Sequence, residues 1–124
     1  MRTVVAIAVA GAVGALARYG LEGLVARRST GAFPWGTLVV NVSGAFVLGF
    51  VFTVATEQLT TAPWLRAAVT IGFLGAYTTF STLSLETYRL LEDGSLGLAA
   101  ANSLGSLAAG LTAVYLGVVA GRAL

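Results

Sequence analysis

The sequence predicts an all-α polytopic membrane protein of four transmembrane helices. Three observations carry that prediction. Of 124 residues, 57% are hydrophobic and only 10% charged, whereas an ordinary soluble domain is about a quarter charged. The apolar residues fall into four runs, each near the roughly 20 residues needed to cross a bilayer. Tryptophans and tyrosines (Trp35, Trp64, Tyr19, Tyr88, Tyr115) sit near the ends of those runs, where interfacial aromatics collect. Four spans use most of the chain, so it is read as a single membrane domain over 1–124 with no room for a soluble extra domain.

The first span covers about 3–25, interrupted late by Arg18 and Glu22. A signal peptide with cleavage after Ala15-Leu16-Ala17 is the weaker reading, because the apolar run continues past that site and three more spans follow. The connection Ala26–Trp35 holds Arg27, Arg28, Ser29, Gly31 and Pro34, residues of loops and interfaces. The second span covers about 36–55 and gives way to the polar stretch Thr56–Pro63. The third runs over about 65–90. Glu92-Asp93-Gly94-Ser95 makes a turn, and the fourth span covers about 96–120. Along it Ala99, Ser103, Ser106, Gly110, Ala113 and Gly117 recur at steps of four and three; Ala6, Ala10 and Gly14 recur at steps of four along span one. Such seams of small residues let membrane helices approach closely, which accounts for most of these glycines without a direct functional role.

Charge excludes further classes. The chain has no Cys and no His, which removes disulfides, thiol chemistry, Cys/His metal sites and imidazole catalysis. A net charge of +2, from seven scattered arginines against five acids, is too small for a nucleic-acid partner. The arginines also fail to set an orientation. Arg2, Arg66 and Arg122 fall on one side of the membrane, and Arg27, Arg28 and Arg89 on the other. An excess of basic residues normally decides which loops stay inside. Three against three predicts insertion both ways, with opposed copies pairing about an axis in the membrane plane.

Polar groups within the spans are the best pointers to function, since each must be satisfied or exposed to a watery path. Span two carries Asn41, flanked by Thr37 and Ser43; span four carries Asn102, Ser103, Ser106 and Thr112. Span three has the densest cluster, Gly72-Phe73-Leu74-Gly75-Ala76-Tyr77-Thr78-Thr79-Phe80-Ser81-Thr82. Its hydroxyls compete for backbone hydrogen bonds and its glycines weaken the helix. Two readings stay open: a break at mid-membrane, or a continuous helix with hydroxyls bonded four residues back. No acid lies at the middle of any span, so a proton- or cation-coupled carrier lacks its usual carboxylate. Arg18 and Glu22 are spaced to pair, and Glu86 with Arg89 either pairs or lines a vestibule. The available chemistry is neutral donors: amide N–H, hydroxyl O–H and phenylalanine ring edges. Such donors suit a small, strongly hydrated anion.

At these residues the sequence resembles the Fluc (CrcB) fluoride channel family. The matching segments are Gly11–Tyr19, Pro34–Asn41, the loose Ser106-x-x-x-Gly110-Leu111 and, most specifically, Gly72–Thr82. The resemblance implies an antiparallel dual-topology homodimer in the cell membrane, the inner membrane where there are two. It implies two fluoride pathways and a structural sodium ion that is not transported. It further implies a fluoride pathway through Asn41, Phe80, Ser81, Leu83, Ser106 and Thr112, with Asn41 donating to the anion and Phe80 presenting its ring edge. Sodium is implied at the backbone carbonyls of Gly75 and Thr78. Leu83 stands where the family has its second pore phenylalanine, and Asn102 where it often has tyrosine.

The activity implied is passive export of fluoride, which lowers fluoride toxicity, and not an enzymatic reaction. The alternative of a small dual-topology multidrug transporter needs a membrane-embedded Glu near Gly14, where none stands. A non-transporting membrane assembly subunit is the remaining alternative.

Overall fold

In the computed structural model, which describes residues 1–124, four helical segments are long and apolar enough to cross a membrane. α1 spans Arg2–Arg28 and α2 Trp35–Gln58. The third segment is split into α3, residues 63–77, and α4, Phe80–Glu92. α5 spans Leu96–Arg122. The fold is an up-and-down helical bundle and the chain is a multi-pass membrane protein.

The helix ends lie where local chemistry puts them, one to three residues beyond most of the expected limits. α1 runs on through Arg27 and Arg28, whose positive charge complements the carbonyl end of a helix. It stops at Ser29, which turns extended and bonds its hydroxyl to the Val25 carbonyl at 2.7 Å. α2 continues past Thr53 as a wide π-helical turn, Val54–Gln58. Pro63 opens α3, a position where its missing N–H costs nothing. Between α4 and α5 the chain reverses at Gly94, whose φ of +76° suits glycine. Ser95 N–H reaches back to the Leu90 carbonyl and Gly94 N–H to that of Leu91, the paired bonds of a Schellman close.

Small residues set the packing. A Cβ at Gly117 of α5 would collide with the Phe46 carbonyl of α2, and one at Gly49 of α2 with the Val114 carbonyl of α5. α1 and α3 meet the same way, Gly14 against the Phe73 carbonyl and Gly72 against that of Ile7. Lipid supplies no hydrophobic force between helices, so close backbone approach and dispersion must hold them. Beyond the membrane core, Arg122 and Glu57 join the ends of α5 and α2 through two 3.0 Å bonds. α4 is the exception to this close packing. It lies mainly against the first turns of α5 and leaves an open groove between itself, α2 and the middle of α5.

Candidate functional site

The third segment breaks inside the Gly72–Thr82 run. Thr78 (φ −86°, ψ 156°) and Thr79 (φ −148°, ψ 120°) are extended, and the helix restarts at Phe80. Of the two readings open from sequence, the break is the one observed. The hydroxyls act as the competition argument requires. Thr78 Oγ1 donates back to the Leu74 carbonyl at 2.9 Å, closing α3. Thr79 Oγ1 accepts the Thr82 N–H at 3.3 Å and so caps the start of α4.

A break at this depth frees backbone groups that lipid cannot satisfy. Asn41 of α2 satisfies two of them. Its Nδ2 donates to the Thr79 carbonyl at 2.9 Å, and its Oδ1 accepts the Thr79 N–H at 2.7 Å. The side chain thus brackets one extended residue from both sides, and its amide keeps one further N–H. Gly44, one turn along α2, leaves room for the Thr78 methyl group that a Cβ would strike. Ser43 and Tyr77 share a 2.9 Å hydroxyl bond. From α1, Arg18 donates its Nε to the Ala76 carbonyl at 3.1 Å, while its guanidinium stays 3.8 Å from Glu22. The sequence had suggested only the Arg18–Glu22 pair; the structure gives Arg18 a second task, supporting the carbonyl end of α3.

Because Thr79 N–H goes to Asn41, the Gly75 carbonyl loses its ordinary helical donor. Neither it nor the Thr78 carbonyl accepts a hydrogen bond within the chain. Two helix ends therefore meet at the break. The carbonyl end of α3 is partially negative and fits a cation; the N-terminus of α4 is partially positive and fits an anion.

Both ends face the groove, a cavity of about 790 Å³. No charged side chain lines it. Of the residues singled out from sequence, Asn41, Gly75, Thr78, Phe80, Leu83 and Ser106 are on its wall. Phe80 is 81% exposed, its ring standing clear at the first turn of α4. Leu83 follows one turn later. Ser106 is buried and its hydroxyl has no partner. Ser81 and Thr112 are exposed and lie outside the groove of the single chain, Thr112 returning its hydroxyl to the Ala108 carbonyl at 2.8 Å. Glu86 forms no ion pair with Arg89. It lines a second cavity of about 390 Å³ with Glu22, Thr37 and Thr82. The contributions of Thr79 as the bracketed residue and of Arg18 as a support were not readable from spacing, since both depend on contacts between distant spans.

Comparison with known proteins gives a concordant result. The family model described as "CrcB-like protein, Camphor Resistance (CrcB)" matches residues 5–118. The chain is 50% identical over 124 residues to proteins named fluoride-specific ion channel FluC from Geobacter sp. (strain M21) and Geobacter sulfurreducens, covering both chains completely. It is 45% identical over 117 residues to fluoride-specific ion channel FluC 2 of Geobacillus kaustophilus, covering 94% of this chain and 91% of that one.

Proposed function

The chain belongs to the CrcB family, and from that premise we propose that it is a fluoride-specific ion channel, exporting fluoride from the cytoplasm down its gradient. The observation that carries this is the uncharged groove at the helix break, with Asn41 and Phe80 on its wall. A conducting site must replace the water around an anion without trapping it. The remaining Asn41 N–H, the Phe80 ring edge, the Ser106 hydroxyl and the N-terminus of α4 all offer positive character and none offers a full charge. Leu83 contributes only an apolar wall. Ser81 and Thr112 enter this pathway only if a second copy brings them to it.

The working unit proposed is an antiparallel homodimer in the plasma membrane. Three features support it: the balanced arginines, the open groove beside α4, and an exposed Phe80 that one chain leaves without a partner. We further propose that the Gly75 and Thr78 carbonyls hold a structural sodium ion. Both are free of hydrogen bonds and sit at the negative end of α3, and hard oxygen donors fit a hard cation. When bound, sodium would neutralise these carbonyls and tie the breaks of two copies together.

The test is efflux from proteoliposomes containing only this protein, followed with fluoride and chloride electrodes. Fluoride loss with chloride retained is expected. Equal rates, or export of organic cations instead, would overturn the reading.

A further inference from the structure

The carbonyls that the break deprives of helical donors are not treated alike. Those of Gly75 and Thr78 stay free, because the Thr79 N–H goes to Asn41 and the Thr82 N–H to the Thr79 hydroxyl. The Ala76 carbonyl, which lies between them in the chain, loses its donor because extended Thr78 and Thr79 carry Phe80 out of reach. Arg18 of α1 takes that carbonyl instead, through its Nε at 3.1 Å. Arg18 belongs to the face of α1 that grips α3: Gly14, one turn earlier, fits against the Phe73 carbonyl with no room for a Cβ. A bond from a guanidinium is stronger than one from a neutral donor. Its charge is also offset, since Glu22 Oε2 lies 3.8 Å from the Arg18 guanidinium. The pair therefore supplies a firm donor without adding net charge beside the carbonyl end of α3, whose partial negative character stays available to a cation.

We propose that Arg18 is a positioning residue for the cation site, holding the end of α3 by its Ala76 carbonyl so that the free Gly75 and Thr78 carbonyls are fixed before an ion arrives. The inference rests on the sodium reading above and adds what keeps that site in shape. Arg18 is not a ligand, for a guanidinium has only donors. Its effect comes through order: a chain end left loose must be immobilised at each binding event, and that cost is subtracted from affinity, whereas an end already held avoids it.

The experiment is thermal unfolding of the full-length protein in detergent across a sodium titration, with N-methylglucamine as the replacing cation. An ion that binds only the folded protein raises the midpoint once its concentration passes Kd, so the curve yields an apparent Kd. The double variant Arg18→Met, Glu22→Gln removes the bond to Ala76 and leaves the net charge unchanged. Its apparent Kd for sodium should rise roughly fivefold or more, and Arg18→Lys, which keeps a cationic donor, should lose less. A lower midpoint without sodium but an unchanged Kd marks a merely structural role and overturns the proposal, as does an Arg18→Lys protein no better than the double variant. If the double variant does not fold, the parent carries the test. Linkage is reciprocal, so sodium should slow solvent exchange of the Arg18 Nε–H, followed by NMR; unchanged or faster exchange overturns the proposal. A parent whose midpoint ignores sodium overturns the sodium reading with it, whereas a responsive parent with an unaltered double variant overturns the role of Arg18 alone.

Discussion

Replacing Asn41 by alanine removes both bonds that bracket Thr79, the 2.9 Å bond to its carbonyl and the 2.7 Å bond from its N–H. The cost is bounded from two sides. Leaving a buried polar group unsatisfied costs about 1–3 kcal/mol, so two groups set an upper bound of roughly 6 kcal/mol. Measured hydrogen bonds between membrane helices average only about 0.6 kcal/mol and reach about 1.7, because the unfolded chain in lipid also finds partners. The groove gives water access to the break, which favours the lower range. We expect a loss of about 2 kcal/mol, equivalent to roughly a 30-fold shift in an equilibrium constant. Reversible unfolding of the reconstituted protein in mixed micelles measures the stability. Amide exchange at Thr79, expected to accelerate by a similar factor, localises the effect. Ser43→Ala, which loses one bond between helices, to Tyr77, and one local bond to the Val40 carbonyl, should cost less and leave Thr79 exchange unchanged. If Asn41→Ala is as stable as the parent and Thr79 exchange is unchanged, the bracket does not hold the break together and the reasoning fails.

Four other outcomes follow from the structure and the arginine balance. Phe80→Ala should leave folding almost untouched, since the ring is 81% exposed in the single chain, yet slow fluoride efflux from liposomes at least tenfold; Leu83→Phe should keep or raise that efflux in the homodimer, and a silent homodimer restored only by a Phe-bearing second subunit would contradict it. Gly117→Ala forces a methyl group into the Phe46 carbonyl and should destabilise the bundle by about 1–3 kcal/mol in the same unfolding assay, the usual cost of overpacking. Gly97→Ala, which meets nothing within 4 Å, should not. A single cysteine placed in the 92–95 turn should react with impermeant reagent from both sides of the membrane, and adding arginines to one set of loops should make it react from one side.

Much of the bundle was legible because lipid imposes simple rules: run length, interfacial aromatics and seams of small residues report directly on spans and close packing. Gly117 and Gly14 show this, since both mark contacts with the backbone of another helix. The break was half legible. The threonines and glycines of 72–82 announced weak helix, but only Asn41, 38 residues from Thr79, makes an extended backbone tolerable there. That pairing follows from how α2 and α3 cross, which spacing along the chain does not encode. Arg18 is a similar case: its neighbour Glu22 is visible in the sequence, its bond to Ala76 is not. The π-helical turns at Val54–Gln58, Ala68–Phe73 and Ala101–Gly105 left no signal in the hydropathy pattern, because a single extra residue per turn shifts a face without removing it.

The groove at the break is proposed to conduct fluoride passively and to reject chloride. Its most direct measurement is the reversal potential of current through the reconstituted protein with fluoride on one side of the bilayer and an equal concentration of chloride on the other. A strongly displaced reversal potential, toward the fluoride equilibrium value, is expected, with a loss of that current in Phe80→Ala. A reversal near zero, or a current carried equally by chloride, would contradict it.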